Sequence, residues 1–213
     1  MQRSRVVTLV LAVACILPGT ACNEQPSPKA ENGAPKEGTL PDKATAVIET
    51  SMGTMHCELF PKVAPRNVAN FIGLAEGTKE WKHPLNGRTV RFHLYDGTVF
   101  HRVIPGFMVQ GGDPAGNGAG SPGYYLPDEI KDVTFDKPGR MALANDGRDR
   151  NGSQFFITET PQPSLSGKFT IIGQCDPESV AIVKKIARVP RDKANNDRPF
   201  DPPKIVKVTI EKQ

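Results

Sequence analysis

The sequence predicts a mainly β domain in which an antiparallel sheet closes into a barrel and two helices cover its ends. The chain carries many short apolar runs separated by turn signals, and only two segments have helical periodicity. Gly and Pro number 20 each among the 213 residues, which favours turns and short strands over long helices. Closure is the simplest way for such a sheet to protect its edges. The sequence contains no internal repeat and no second core pattern, so residues 45–213 are interpreted as one domain.

Residues 1–21 are predicted to be an export signal rather than part of the fold. A basic start, MQRSR, precedes an apolar run, VVTLVLAVACILP, that is too short to span a bilayer. Small residues then lead to Cys22. A cysteine in this position resembles the lipobox of bacterial lipoproteins, in which cleavage precedes the cysteine and the thiol takes the lipid. Gly19 stands where that family usually carries Leu, so ordinary signal cleavage is the alternative.

Residues 22–44 are predicted to be a disordered tether. They combine mixed charge and several prolines with almost no large apolar side chain, so they cannot bury enough surface to fold. A spacer is useful between a lipid anchor and a domain. We therefore expect lipidation at Cys22, membrane attachment through that lipid, and a location in the periplasm or cell envelope.

The charge gives no support for a nucleic-acid partner. The formal net charge of +4 falls to +2 when the signal removes Arg3 and Arg5, and no basic stripe with interleaved aromatic residues is present. The sequence gives no hint of a dimer, so a monomer is expected.

The domain begins with a predicted hairpin and helix. TAVIET and TMHCELF are joined by a short turn, and Met55, Cys57 and Leu59 alternate with polar residues. In PRNVANFIGLAEG the apolar residues recur at helical spacing. Pro65 suits the first turn of this helix, and Gly77 suits its end.

The rest of the domain is predicted to contain six more strands and a second helix. Residues 78–97 are interpreted as an extended loop in which Trp81 covers an edge of the core. The second helix begins at Asp176, a good N-cap that is followed by Pro177. The strands are predicted in GTVFHRV, GFMVQG, RMALAN, SQFFIT, FTIIGQC and KIVKVTIE.

Two cysteines, Cys57 and Cys175, remain in the domain. An exported protein is free to form a disulfide, but each cysteine lies in an apolar strand pattern, where a free thiol behaves as a small hydrophobe. The patterns favour two buried thiols, and a disulfide is the alternative. No Cys or His pair has the spacing of a metal site, so no metal is expected.

Two other features are interpreted as structural. Residues 118–123 match GxGxxG, but Pro122 lies inside the motif and no helical pattern follows, so we expect a tight glycine loop rather than a nucleotide site. The four histidines are scattered and lack a Ser-His-Asp context. Each, including His101, is interpreted as solvated or as satisfied within the core.

Four longer stretches follow one another along the chain: YDGTVFHRVIPGFMVQGGDP, GSPGYYLPDE, ALANDGRDRNGSQFFIT and LSGKFTIIG. Their order and spacing resemble the cyclophilins, the cyclosporin-type peptidyl-prolyl cis-trans isomerases. ELFPKVAPRNVANF is also similar to the first helix of that family and the residues before it. The resemblance covers residues 45–213. It implies a closed eight-stranded antiparallel barrel capped by two helices, and an isomerase that needs no cofactor.

Such a reaction requires no covalent step. An X-Pro amide rotates over a barrier of about 20 kcal/mol because the nitrogen lone pair is shared with the carbonyl. A cation held near the nitrogen by apolar walls would stabilise the twisted amide, mainly in the transition state. Lowering the barrier by about 7 kcal/mol accelerates rotation roughly 10⁵-fold.

The resemblance implies a role for each site residue. Arg102 matches the catalytic arginine, whose fixed guanidinium fork would hold the substrate carbonyl and face the prolyl nitrogen. Gln110 is expected to steady Arg102. The substrate-binding residues are expected to be Phe107, Met108, Phe156, Leu165 and Phe169 around the proline ring. Gln110 and Gln154 are expected as polar residues around the site, and Ala144 and Asn145 on the rim that pairs with the substrate backbone. Burial of Phe107, Met108 and Phe156 in an ordinary core is the alternative, but it leaves Arg102 and Gln110 unexplained.

Some positions depart from the family pattern. Ser164 stands where many members carry a Trp that contributes to cyclosporin binding, so weak cyclosporin affinity is expected. Phe169 replaces a common pocket His and keeps the wall apolar. Asp146 replaces a small Ala on the rim, and the turn after it, residues 148–150, is charged.

We therefore expect an isomerase that acts on proline-containing peptides or unfolded exported proteins. A non-catalytic chaperone module that binds proline-containing segments is one alternative, although Arg102, Phe107 and Gln110 together argue against it. A structural envelope lipoprotein is the other, and it predicts a stable complex with one partner.

Overall fold

The computed structural model describes residues 40–213. The predicted signal, the lipidation site Cys22 and the tether as far as residue 39 lie outside the described residues. Neither helix within residues 40–213 is long and apolar enough to cross a membrane.

The fold contains every strand and helix that the sequence predicts, together with two additional small hairpins. The helices are α1 (Pro65–Ala75) and α2 (Pro177–Ala187), with one 3-10 turn at Pro163–Leu165. The strands are β1 (Ala44–Thr50), β2 (Gly53–Leu59), β3 (Trp81–Lys82), β4 (Thr89–Val90), β5 (Arg102–Ile104), β6 (Met108–Gly111), β7 (Arg140–Leu143), β8 (Phe155–Thr158), β9 (Ile171–Cys175), β10 (Arg191–Asp192), β11 (Arg198–Pro199) and β12 (Ile205–Lys212).

Local chemistry accounts for both helices. Pro65 occupies the first turn of α1, where a missing N–H costs nothing. Asp176 is the N-cap of α2, and its carboxylate accepts a hydrogen bond of 2.7 Å from the backbone N–H of Ser179. The interpretation of residues 78–97 as a loop is wrong in part, because β3 and β4 pair there. Trp81, at the start of β3, is buried, as expected.

Eight strands form one antiparallel sheet in the order β12-β1-β2-β9-β7-β8-β6-β5. The sheet is an open half-barrel, so the prediction of a closed barrel is wrong. The end strands β12 and β5 do not form a ladder; residues 97–100, just before β5, instead make a few backbone hydrogen bonds with residues 203–205. β5 has only three residues, and Pro202 and Pro203 lack an amide donor, so a full ladder cannot form at this edge.

The central strands are apolar on both faces. Val103, Val109 and Ile157 point into the main core, which both helices also help to fill. The residues that alternate with them belong to a second apolar cluster on the opposite face. The buried members of this outer cluster are Met108, Phe135, Ala142, Phe156 and Ile171.

Cys57 and Cys175 are joined by a disulfide. The two residues lie directly opposite each other in the register of β2 and β9. The favoured expectation of two buried thiols is therefore wrong. The pairing depends on strand register over 118 residues of sequence separation, which neither strand pattern reveals alone.

This disulfide closes a long loop, so we expect reduction to lower the free energy of unfolding by about 2 to 5 kcal/mol. Urea denaturation curves recorded after equilibration with and without dithiothreitol measure the difference. A Cys57→Ala/Cys175→Ala double variant is the control and should give one curve under both conditions. Superimposable wild-type curves would contradict a stabilising disulfide.

Candidate active site

Arg102, Gln110 and Phe156 lie side by side on the outer face of the half-barrel. The register pairs Arg102 with Gln110 across β5 and β6, and Gln110 with Phe156 across β6 and β8. Directly paired residues point to the same face of a sheet. The neighbouring residues, such as Val103 and Val109, belong to the main core, so the three side chains project away from it.

A groove of about 120 Å³ lies on this outer face. Gln154 is the one predicted site residue that does not line it. The lining residues are Arg102, Phe107, Met108, Gln110, Ala144, Asn145, Phe156, Leu165 and Phe169.

Aromatic stacking makes the apolar wall of the groove. Phe156 stacks on Phe135 with ring centroids 5.7 Å apart, and Phe169 meets Phe156 edge-on at 5.3 Å. Phe135 is buried beneath the wall. Sequence reasoning missed Phe135 because it lies in a loop without periodicity. The wall is therefore rigid, since each ring is held by another.

Gln154 lies behind the groove and fixes Gln110. The Gln110 amide donates to the Gln154 side-chain oxygen at 3.0 Å, and the Gln154 amide donates to the backbone oxygens of Gly118 and Gly120 at 3.0 and 2.9 Å. Within residues 40–213, Gln110 makes no side-chain hydrogen bond to Arg102. The expectation that Gln110 steadies Arg102 stays a prediction: the two are neighbours in register, and the amide of Gln110 donates to Gln154.

The glycine loop that receives Gln154 is wrapped around a buried carboxylate. Asp113 accepts backbone hydrogen bonds from Ala115 at 2.8 Å, Asn117 at 3.0 Å and Gly118 at 2.5 Å. A Cβ at Gly120 would overlap the Asp113 carboxylate. The prediction of a tight glycine loop is confirmed, and the anion at its centre is the protein's own side chain.

Two buried donor atoms of groove-lining residues have no hydrogen-bond partner among the described residues. They are Nε of Arg102 and Nδ2 of Asn145. Arg102 also makes no ion pair within residues 40–213. Buried donors are nearly always paired in folded proteins, so these two atoms are suited to acceptors from outside the chain, such as peptide carbonyl oxygens.

His101 lies beside the same site and is 4% exposed. Neither ring nitrogen has a well-aligned hydrogen-bond partner among the described residues, and the ring is buried, so its interpretation as solvated is wrong. Burial lowers the pKa of His101 below its usual value; the charge of Asp113 and an interaction with the Gln154 side chain oppose that effect, while Arg198 and Arg102 reinforce it. The ring is therefore held neutral next to the groove.

The rim beyond Asn145 carries paired charges. Arg150 donates to Asp146 at 2.5 Å and lies 4.3 Å above the ring of Tyr125. The hydrogen bond from Arg150 lowers the pKa of Asp146. Ser164 is exposed in the 3-10 turn next to Leu165.

Known proteins match the chain over the same residues. A family model described as cyclophilin type peptidyl-prolyl cis-trans isomerase/CLD matches residues 45–210. Peptidyl-prolyl cis-trans isomerase A of Mycobacterium tuberculosis is 47% identical over 169 residues, which cover 78% of this chain and 92% of that protein. Peptidyl-prolyl cis-trans isomerase B of Streptomyces anulatus is 44% identical over 174 residues, which cover 81% and 99%.

Solved structures resemble the fold. A crystal structure of a cyclophilin type peptidyl-prolyl cis-trans isomerase from Cryptosporidium parvum has a TM-score of 0.67 and 30% identity, covering 80% of this chain and 99% of its own. A crystal structure of the same protein in the presence of the dipeptide Ala-Pro has a TM-score of 0.66.

The neutral, buried His101 predicts a pH-dependent stability. Because its pKa is lowered in the folded state, the unfolded chain takes up the proton first as the pH falls. The free energy of unfolding should therefore decrease as the pH drops below about 6.5, the ordinary histidine value. Urea denaturation at a series of pH values should show this slope in wild type and a smaller slope in His101→Gln. An unchanged slope in His101→Gln would contradict the assignment.

Proposed function

Because the chain belongs to the cyclophilin-type peptidyl-prolyl cis-trans isomerase family, we propose that it accelerates rotation about X-Pro bonds in exported proteins from the groove around Arg102. Its activity is peptidyl-prolyl cis-trans isomerisation, and its proposed substrates are proline-containing peptides or unfolded exported chains. One observation carries the assignment to this groove. A buried guanidinium nitrogen without a partner among the described residues belongs to the same groove as an apolar wall of aromatic rings.

In this proposal the apolar wall binds the proline ring. Phe107, Met108 and Phe156 present apolar surface to the carbon atoms of the ring, and the rigid ring loses little entropy on binding. Asn145 would donate to a substrate backbone carbonyl through its unpaired amide. These contacts orient the peptide in the groove, so that rotation about the X-Pro bond takes place beside Arg102.

Arg102 would then lower the barrier. As the amide twists, the lone pair becomes localised on the prolyl nitrogen, and a guanidinium N–H near it gains a favourable interaction that the planar amide does not offer. The surrounding apolar side chains strengthen this electrostatic term because they exclude water. Proline leaves with all its bonds intact, so the mechanism needs no nucleophile and no general base.

The proposal requires that Arg102→Ala lose catalysis while keeping the fold. Removing one preorganised donor typically costs about 10²- to 10³-fold in rate, so we expect kcat/KM to fall by that factor in an isomerisation assay on a short X-Pro peptide. Arg102→Lys keeps the charge but loses the planar fork, and should recover part of the rate.

Arg91→Ala is the matched control, because Arg91 pairs with Glu80 at 3.1 Å and does not line the groove. It should retain wild-type activity. If wild type and Arg102→Ala both bind peptide and neither accelerates isomerisation above the uncatalysed rate, the alternative of a non-catalytic peptide-binding chaperone module holds instead.

We also propose that the protein acts outside the cytoplasm as a lipid-anchored monomer. The basic start, the short apolar run and Cys22 after small residues support export and lipidation. The proline-rich and charged residues that follow support a spacer between the membrane and the isomerase domain.

Lipidation is tested by fractionating cells that express the full chain. Wild type should sediment with membranes, and Cys22→Ala should appear in the soluble fraction, because it lacks the thiol that takes the lipid. Cys15→Ala changes a cysteine inside the apolar run and should remain with the membranes. Membrane retention of Cys22→Ala would contradict the anchor.

A further inference from the structure

The turn between β5 and β6 supplies one wall of the groove. It carries Phe107, and Gly106 within it has a φ of 74°, a conformation that favours glycine. The Phe107 N–H donates to Ile104 O at 3.1 Å. This bond closes the turn, and pairing of Ile104 with Met108 joins it to the β5–β6 ladder. Further contacts reach the turn from elsewhere in the chain.

Those contacts come from the segment after β8. Glu159 accepts from the Gly106 N–H through its carboxylate at 2.9 Å and donates its own N–H to Phe107 O at 2.8 Å. The hydroxyl of Thr160 and the amide of Gln162 both donate to Gly106 O, at 2.7 and 3.2 Å. The segment after β8 therefore accepts from the Gly106 N–H and donates to the carbonyl oxygens of Gly106 and Phe107.

Glu159 is the one charged side chain in this arrangement, and it is 3% exposed. Its second oxygen accepts from the Arg188 guanidinium at 2.7 Å, just beyond the end of α2, while Arg188 itself is half exposed. Burial alone would raise the pKa of Glu159, but the hydrogen bonds from Arg188 and the Gly106 N–H outweigh it and lower the pKa. The carboxylate is therefore charged at neutral pH, and one of its two oxygens is committed to the groove wall.

We propose that Glu159 is a positioning residue for the isomerase reaction: it holds the Phe107 wall of the proline-binding groove through Gly106. The inference rests on the proposed function of the groove. Glu159 does not line the groove and touches no substrate. Its effect is on the placement of a wall that a proline ring contacts equally in the ground state and in the transition state, so its loss weakens binding rather than the chemical step.

The ion pair offers a matched test, because only one of its two members contacts the groove wall. Glu159→Gln can accept from Gly106 or face Arg188, but a neutral amide cannot serve both, because one of its two atoms is a donor. We expect KM for an X-Pro peptide to rise about three- to tenfold, with kcat within about twofold of wild type. Arg188→Met removes the partner that does not contact the wall. It should lower the urea midpoint but leave KM within about twofold of wild type.

Glu76→Gln provides a remote control, since Glu76 pairs with Lys212 at 2.6 Å, and both kinetic constants should stay at wild-type values. If Glu159→Gln folds poorly, Thr160→Val removes a different hydrogen bond to Gly106 and should also raise KM. A KM that is unchanged in Glu159→Gln and Thr160→Val, or that rises equally in Glu159→Gln and Arg188→Met, would overturn the proposal.

Arg102→Ala in the same assay distinguishes a failure of the positioning role of Glu159 from a failure of the function proposed for the groove. If Arg102→Ala loses activity while the Glu159 and Thr160 variants keep the wild-type KM, only the positioning role fails. If Arg102→Ala keeps full activity, the role proposed for the groove fails, whatever the Glu159 variants show.

Discussion

The candidate active site depends on one arrangement: the guanidinium of Arg102 is held beside apolar side chains with no carboxylate partner among residues 40–213. Charges in such surroundings are costly and are normally paired. Arg102 meets no carboxylate within residues 40–213, and its buried Nε lacks a partner there. It is kept in place by backbone pairing of β5 with β6 and by the burial of the next residue, Val103, in the main core. The side chain is therefore positioned by the sheet rather than by a counter-ion.

The apolar half of the site follows from a second constraint on the same strands. β6, β7, β8 and β9 are buried on both faces, with the main core on the inside and the outer cluster on the outside. A run such as Phe107-Met108-Val109 is compatible with a strand only in this situation, because alternate residues enter different clusters. The half-barrel gives the outer cluster a firm floor, and stacked aromatic rings complete its wall. Binding and folding thus use opposite faces of one sheet.

The sequence predicted the elements that a local pattern determines. Eight strands of the main sheet and both helices were identified because each has its own period or cap, and the site residues were identified through ordered motifs shared with a family. What it did not predict depends on pairing at a distance. The opening between β12 and β5, the Cys57–Cys175 disulfide and the commitment of Gln110 to Gln154 are all set by register or by a third segment. The two-residue strands β3 and β4 are too short to have a detectable period.

Two buried carboxylates lie near the groove, and neither pairs with the Arg102 guanidinium. Among the described residues, Asp113 and Glu159 are the two carboxylates that are almost fully buried, at 1% and 3% exposure. Each anchors a turn near the groove, and each has both oxygens occupied by donors other than Arg102. Asp113 is satisfied by backbone N–H groups alone, and Glu159 by one backbone N–H and Arg188. The loops that frame the groove are therefore stabilised by carboxylates whose hydrogen bonds come from donors other than Arg102, so the charge of Arg102 has no carboxylate partner among residues 40–213.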